Sequence, residues 1–213
     1  MISAILDNIG SVLCIGAHAD DIEIGCGGSV LRLLADNSRT KVTWVVLSGD
    51  EARAAEARQS AERFLAEVSE VTIIQKTFRD TFLPYDGGEI KEFFRELSAS
   101  VQPDVIFTHR REDMHQDHRL VAELTWNAFR NHLILEYEIP KYEGDLGHPN
   151  VFFNLDEETC RRKIDTTLEC FASQREKPWF TADTLQALLR LRGVESASPT
   201  GFAEGLYCRK VTI

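Results

Sequence analysis

The stretch SVLCIGAHADDIEIGCGG, residues 11–28, decides the fold. Its opening SVLCIGA is short and apolar and reads as a buried strand. His18, Asp20, Asp21 and Glu23 follow within six positions. Three acids and a histidine packed this tightly repel one another unless a positive charge sits among them. Beyond them, GGSVLRLLADN places Val30, Leu31, Leu33 and Leu34 on a helical stripe, and Asn37 reads as its stop.

Downstream, strand and helix alternate. KVTWVVLSG (41–49) is a β-branched and aromatic strand, and EARAAEARQSAERFLAEV (51–68) is an Ala- and Glu-rich helix. VTIIQ (71–75), the helix EIKEFFRELSASV (89–101) and the strand PDVIFTH (103–109) continue the pattern. Later elements are a helix near 118–131, strands in HLILEYEIP and NVFFNLD, helices near 157–172 and 181–192, and a final strand in AEGLYCRKVTI. Alternation of this kind predicts an α/β fold, a mostly parallel sheet covered by helices on both faces. In such sheets the site lies beyond the carboxyl ends of the strands. The acidic turn leaves the first strand there, and THRREDMHQDHR (108–119) should arrive at the same edge after the fourth.

The chain has 213 residues, 43% of them hydrophobic, and reads as a single domain over 1–213 with one sizeable core. A formal net charge of −10 argues against nucleic acid. The one basic cluster, CRRK at 160–163, reads as a solvated helix face. MISAILDNIG carries no leader signature, and no apolar run approaches the roughly 20 residues of a membrane span. A cytoplasmic protein is expected. Five scattered cysteines without a C-x-x-C pair fit reduced thiols, and Cys26 reads as buried rather than nucleophilic. The GCGG at 25–28 matches no phosphate-loop pattern and reads as a tight turn with close helix packing.

His18 and Asp21 are three apart, as are His115 and His118. Brought to one edge, they offer imidazoles and carboxylates without a thiolate. Two histidines and one carboxylate with an open position form a catalytic zinc pattern. A divalent cation also supplies the missing positive charge. Adjacent residues in a turn diverge, so one of Asp20 and Asp21 can be a ligand while the other takes a proton from the attacking water. The histidine not used as a ligand suits oxyanion stabilisation and protonation of the leaving nitrogen. Asp117 or Asp113 can set its tautomer. Asp20 has a plain alternative as a helix N-cap.

On these residues the chain resembles the LmbE/PIG-L family of zinc-dependent N-acetylglucosaminyl deacetylases. The family's A-H-P-D-D-E stands here as Ala17-His18-Ala19-Asp20-Asp21-Ile22-Glu23, and its H-P-D-H as His115-Gln116-Asp117-His118. Arg53 and Glu56 match its R-x-x-E helix, and Ser173-Gln174 and Ala203-Glu204 its late SQ and AE patterns. Ala19 and Gln116 replace two prolines, and the glutamate is displaced by one position. The resemblance implies a Rossmann-like three-layer fold. It implies His18, Asp21 and His118 as ligands of Zn2+, or of Fe2+ or another divalent metal. It further implies Asp20 as general base, His115 as oxyanion stabiliser and acid, Asp117 as the partner orienting His115, and Arg53 as a substrate contact. The expected substrate is a small N-acetyl sugar or sugar conjugate, and homo-oligomeric assembly is allowed.

Three alternatives stay open on sequence. One is a zinc amidase acting on another small amide, such as a thiol conjugate or antibiotic precursor. The loops at 76–88 and 140–150, with Phe78, Arg79, Asp80, Tyr85, Tyr142 and His148, would decide. The second is a non-haem iron enzyme, which also uses two histidines and a carboxylate. The third is a non-enzymatic relative that kept the fold.

Overall fold

The alternating pattern folds into one seven-stranded, mostly parallel sheet. A computed structural model describes residue 6 and residues 8–211. Most of MISAILDNIG, read for a leader, and the last two residues of the expected final strand lie outside them. The strands are β1 (Ser11–Gly16), β2 (Lys41–Ser48), β3 (Val71–Phe78), β4 (Val105–His109), β5 (Leu133–Tyr137), β6 (Val151–Leu155) and β7 (Phe202–Cys208). Their order is β3-β2-β1-β4-β5-β7-β6. All pairs from β3 to β5 are parallel, while β7 runs antiparallel to both β5 and β6.

The helices are α1 (Asp21–Asp36), α2 (Glu51–Phe64), α3 (Gly87–Ser100), α4 (Gln116–Ala128), α5 (Glu157–Cys170) and α6 (Ala182–Glu195). Alternate residues of the central strands feed two cores. Leu13, Ile15, Val45 and Ile106 meet Ile90, Phe94 and Val121 of α3 and α4. Val12, Cys14, Trp44 and Phe107 meet residues of α1, α2, α5 and α6. Burial on both faces is why β1 and β4 read as continuous apolar runs. Among the described residues no helix is long and apolar enough to cross a membrane.

The sheet progresses outward from β1 through β2 to β3, then from β4 to β5 on the other side. The reversal falls between β1 and β4, which pair through Val12–Val105, Leu13–Ile106 and Cys14–Phe107. A crevice opens at the carboxyl ends of strands at such a switch point. Both histidine motifs leave the sheet there.

Three local expectations change. Helix α1 begins at Asp21, so the acidic segment is its first turn and GCGG lies within it. The glycines serve close packing: a Cβ at Gly25 would lie 2.2 Å from the Tyr137 ring, and one at Gly28 2.5 Å from Leu155. In CRRK, Lys163 is buried rather than solvated and pairs with Glu204. Glu204 accepts from the N–H groups of Gly28 and Ser29 at 2.9 and 2.5 Å, and Lys163 donates to the Ile24 carbonyl at 2.8 Å. Two side chains thus enter the backbone ladder of α1, which binds α5 and β7 to the helix that carries Asp21.

Candidate metal centre and active site

Six side chains singled out by the sequence converge at the β1/β4 crevice, and Arg53 reaches one of them from α2. His18 follows β1, and Asp20 and Asp21 open α1. His115 is the N-cap of α4, with Asp117 and His118 in its first turn. Nδ1 of His18 lies 3.1 Å from Nε2 of His118 and 3.3 Å from Asp21 Oδ2, and His118 Nε2 lies 3.5 Å from Asp21 Oδ1. Donors about 2.0–2.1 Å from a tetrahedral zinc are about 3.3 Å from one another, so this spacing suits one ion. His109, His115, Asp80 and Asp117 extend the cluster into overlapping donor sets within 4.8 Å.

The outward nitrogens strengthen the fit. His18 Nε2 faces Asp117 Oδ2 at 3.1 Å, and His118 Nδ1 faces Asp113 Oδ2 at 3.0 Å. Both carboxylates are buried. A carboxylate on the far nitrogen of an imidazole sets its tautomer and directs the other lone pair inward, the usual support of a metal-binding histidine. Burial opposes charge on His18, but Asp21, Asp117 and Asp80 raise its pKa well above the ordinary value. Burial and the neighbouring His109 push His118 down to about 3. The cluster therefore stabilises one positive charge among His18, His118 and Asp21, and disfavours a second on the imidazoles.

Asp117 corrects an expectation. Its carboxylate turns to His18 and to the backbone N–H of Leu83 at 3.2 Å, and meets His115 only through its own N–H, 3.3 Å from His115 Nδ1. The cause is its place as the second residue of α4, where the backbone N–H groups point at the cap and the side chain projects sideways toward β1. Asp113 accepts from the backbone N–H of His115 at 2.8 Å. Burial and the nearby His18 lower the pKa of half-buried His115.

Asp20 holds the N-cap position, yet its side chain makes no capping hydrogen bond. Oδ1 accepts from Arg53 Nη2 at 2.6 Å. Burial raises the Asp20 pKa, with Asp21 adding and Arg53 opposing. Arg53, expected on the substrate, thus holds the carboxylate beside the cation site. On the same helix, Glu56 accepts from the N–H and hydroxyl of Ser173 at 2.9 and 2.6 Å, which joins the R-x-x-E and SQ segments.

Other groups were not assigned from sequence. His109 ends β4, is fully buried, stacks on His118 with centroids 3.9 Å apart, and brings Nε2 within 3.1 Å of Asp21 Oδ2. Its place in THRREDMHQDHR was the available signal. Asp80 Oδ1 lies 3.1 Å from His18 Nε2. Thr81 beside it has φ 65°, a left-handed conformation rare for a β-branched residue. Gln116, in place of the family proline, donates to the Thr81 carbonyl at 2.8 Å and tethers that loop. Cys26 is buried with a raised pKa, as a structural thiol.

Comparison with known proteins follows the same residues. The family described as PIG-L, GlcNAc-PI de-N-acetylase, matches residues 13–129, more than half of the chain. A relative from Escherichia coli strain K12, the uncharacterized deacetylase YaiS, is 29% identical over 155 residues, 69% of this chain and 83% of its own. The N,N'-diacetylchitobiose deacetylase from Pyrococcus horikoshii aligns with TM-score 0.69 and 20% identity, over 94% of this chain and 84% of that one. The 4-carboxy-2-hydroxymuconate hydratase of Pseudomonas putida KT2440 aligns with TM-score 0.73 and 18% identity, over 96% and 98%. A teicoplanin deacetylase aligns with TM-score 0.72 and 15% identity, over 93% and 97%. At these identities the solved structures share the fold, which carries both deacetylation and hydration.

Proposed function

From the premise that the chain belongs to the PIG-L family of de-N-acetylases, we propose that it is a metal-dependent hydrolase that removes the acetyl group from an N-acetylated sugar or sugar conjugate. The observation that carries this reading is the inward convergence of His18, Asp21 and His118, each imidazole backed by its own buried carboxylate. These three residues would hold a divalent cation, for which zinc fits the donor set. When bound, such a cation polarises the amide carbonyl and acidifies water.

The chain's own groups do the rest. Asp20 Oδ1 is held by Arg53, which leaves Oδ2 to accept a proton from the attacking water. A carboxylate with a raised pKa is the better general base near neutrality. His115 Nδ1 accepts from the Asp117 N–H, so the neutral ring donates a hydrogen bond from Nε2 to the developing oxyanion, and the proton that Asp20 takes from the water, rather than one from His115, passes to the leaving nitrogen. The Asp113 carboxylate holds the His118 ring and the His115 backbone N–H, so ligand and oxyanion donor stay in register. Release of the free amine and acetate completes the turnover.

A second reading, another small amide, draws on the loops that border the crevice. Tyr85, Met114 and Tyr142 are exposed in the segments that follow β3, β4 and β5, apolar surface that suits a substrate with an apolar portion beside its acetamide.

The test is amine release by zinc-loaded protein from N-acetyl sugars, their nucleotide conjugates and simple acetamides, with and without a chelator. The expected result is chelator-sensitive release that favours a sugar. Release from non-sugar amides alone would move the assignment to the second reading, and none from any compound at full metal loading would overturn both.

A further inference from the structure

We propose that Lys141 is a positioning residue for His118, holding it in its ligand orientation through the carboxylate of Asp113. This rests on the reading of His118 as a cation ligand. Lys141 lies in the loop between β5 and β6, beyond the residues 13–129 matched by the family.

Lys141 Nζ donates to Asp113 Oδ2 at 2.9 Å, to Asp145 Oδ1 at 2.6 Å and to the Ile139 carbonyl at 3.3 Å, which uses all three of its N–H bonds. Asp113 Oδ2 is shared with His118 Nδ1 at 3.0 Å, and Oδ1 accepts from the His115 N–H at 2.8 Å. Asp145 Oδ2 accepts from the Met114 N–H at 2.6 Å. The side chains of Lys141, Asp113 and Asp145 are 9%, 2% and 9% exposed. Every oxygen of both carboxylates therefore has a donor, in a buried network of the kind that fixes one geometry.

The network runs in one direction of consequence. Asp113 sets the tautomer and ring plane of His118, and Lys141 sets the place of Asp113. Without the ammonium, Asp113 Oδ2 loses its second donor and the carboxylate can turn about its remaining bonds. Two effects then compete at the cation site. Removal of a nearby positive charge tightens cation binding, and loss of ligand orientation weakens it. The proposal is that orientation dominates, since outer partners of metal-binding histidines change affinity by about 10–100-fold.

The experiment measures Zn2+ affinity by competition with a chromophoric chelator, and the visible spectrum of the Co2+-loaded protein. Lys141→Met should weaken Zn2+ binding by about 10–100-fold and alter the Co2+ bands. Phe94→Leu, in the α3 core away from the crevice, should lower stability while leaving both readouts unchanged. If Lys141→Met fails to fold, Asp145→Asn carries the test, with an expected loss of about 10-fold, the lower end of that range. Unchanged or tighter binding, or equal weakening by Phe94→Leu, overturns the proposal. His118→Ala separates the two layers. Zn2+ binding unaffected there removes the ligand reading itself, whereas binding lost there but kept in Lys141→Met removes only the role of Lys141.

Discussion

His18 Nε2 lies 3.1 Å from Asp117 Oδ2, across 99 residues of sequence, with the carboxylate fully buried. This pair links the two motifs independently of any ion. Asp117 thereby faces the histidine of the first motif, while Asp113 faces His118 of its own, and in the proposed site each orients a cation ligand. Asp117→Asn offers an amide that can present its N–H to His18 and reverse its tautomer. The expected outcome is Zn2+ affinity lower by about 10–100-fold, read by chelator competition. A loss of kcat with unchanged Zn2+ affinity would return Asp117 to His115.

In the proposed mechanism Asp20, held by Arg53, is the base and not a cation ligand. Asp20→Asn should keep the metal and lower kcat by roughly 10²–10⁴-fold, the range of a general base. Arg53→Met should also act on kcat more than on KM, because the guanidinium grips Asp20 at 2.6 Å. Steady-state kinetics on metal-replete protein checks both. A rise in KM alone for Arg53→Met would place the arginine on the substrate instead.

Much of this was legible in the sequence because it follows from local periodicity and from strand order. The apolar run of β1, the Ala- and Glu-rich α2 and the proline-opened β4 fall within a few residues of their positions. The two motifs meet because β1 and β4 are neighbours at the switch point, a consequence of the strand–helix alternation. Side-chain partners were less legible. Asp113 and Asp117 flank the same histidines in sequence, and only the angle at which α4 leaves β4 decides which carboxylate serves which ring. Lys163 sits in the basic run CRRK and Glu204, 41 residues on, in the apolar strand FAEGLYC, and nothing local in either segment shows that the two charges are buried against each other.

The Lys163–Glu204 pair yields a stability prediction. Both side chains are 3% exposed. Glu204→Leu leaves the buried Lys163 ammonium without its counter-charge and takes an acceptor from the Gly28 and Ser29 N–H groups. Removing one partner of a buried pair costs about 3–5 kcal/mol, and Tm in a chain of this size falls by roughly 6–20 °C. The double variant Lys163→Met with Glu204→Leu should recover part of that loss, because no charge is then left alone. Thermal unfolding of the two single variants and the double checks the coupling. Additive losses would mean the two side chains act independently.

Glu23 supplies a pH dependence with a definite sign. It is fully buried, and hydrogen bonding from the Ser60 hydroxyl and the backbone only partly offsets the loss of water around its carboxylate. Burial, opposed by the Ser60 hydrogen bond and aided by Asp20 and Asp21, pushes its pKa up from the ordinary 4.5 to about 8. Between those values the folded chain keeps a proton that the unfolded chain has released. Stability from this group therefore falls as pH rises through the window, and levels off above it. Glu23→Gln stays neutral in both states and removes that slope. The variant should overtake the parent protein progressively from about pH 5 to pH 8, read as urea midpoints at pH 5, 6, 7, 8 and 9. Parallel curves would show that Glu23 titrates alike in the folded and unfolded chains, and would leave the buried carboxyl with a charge-stabilising neighbour still to be identified.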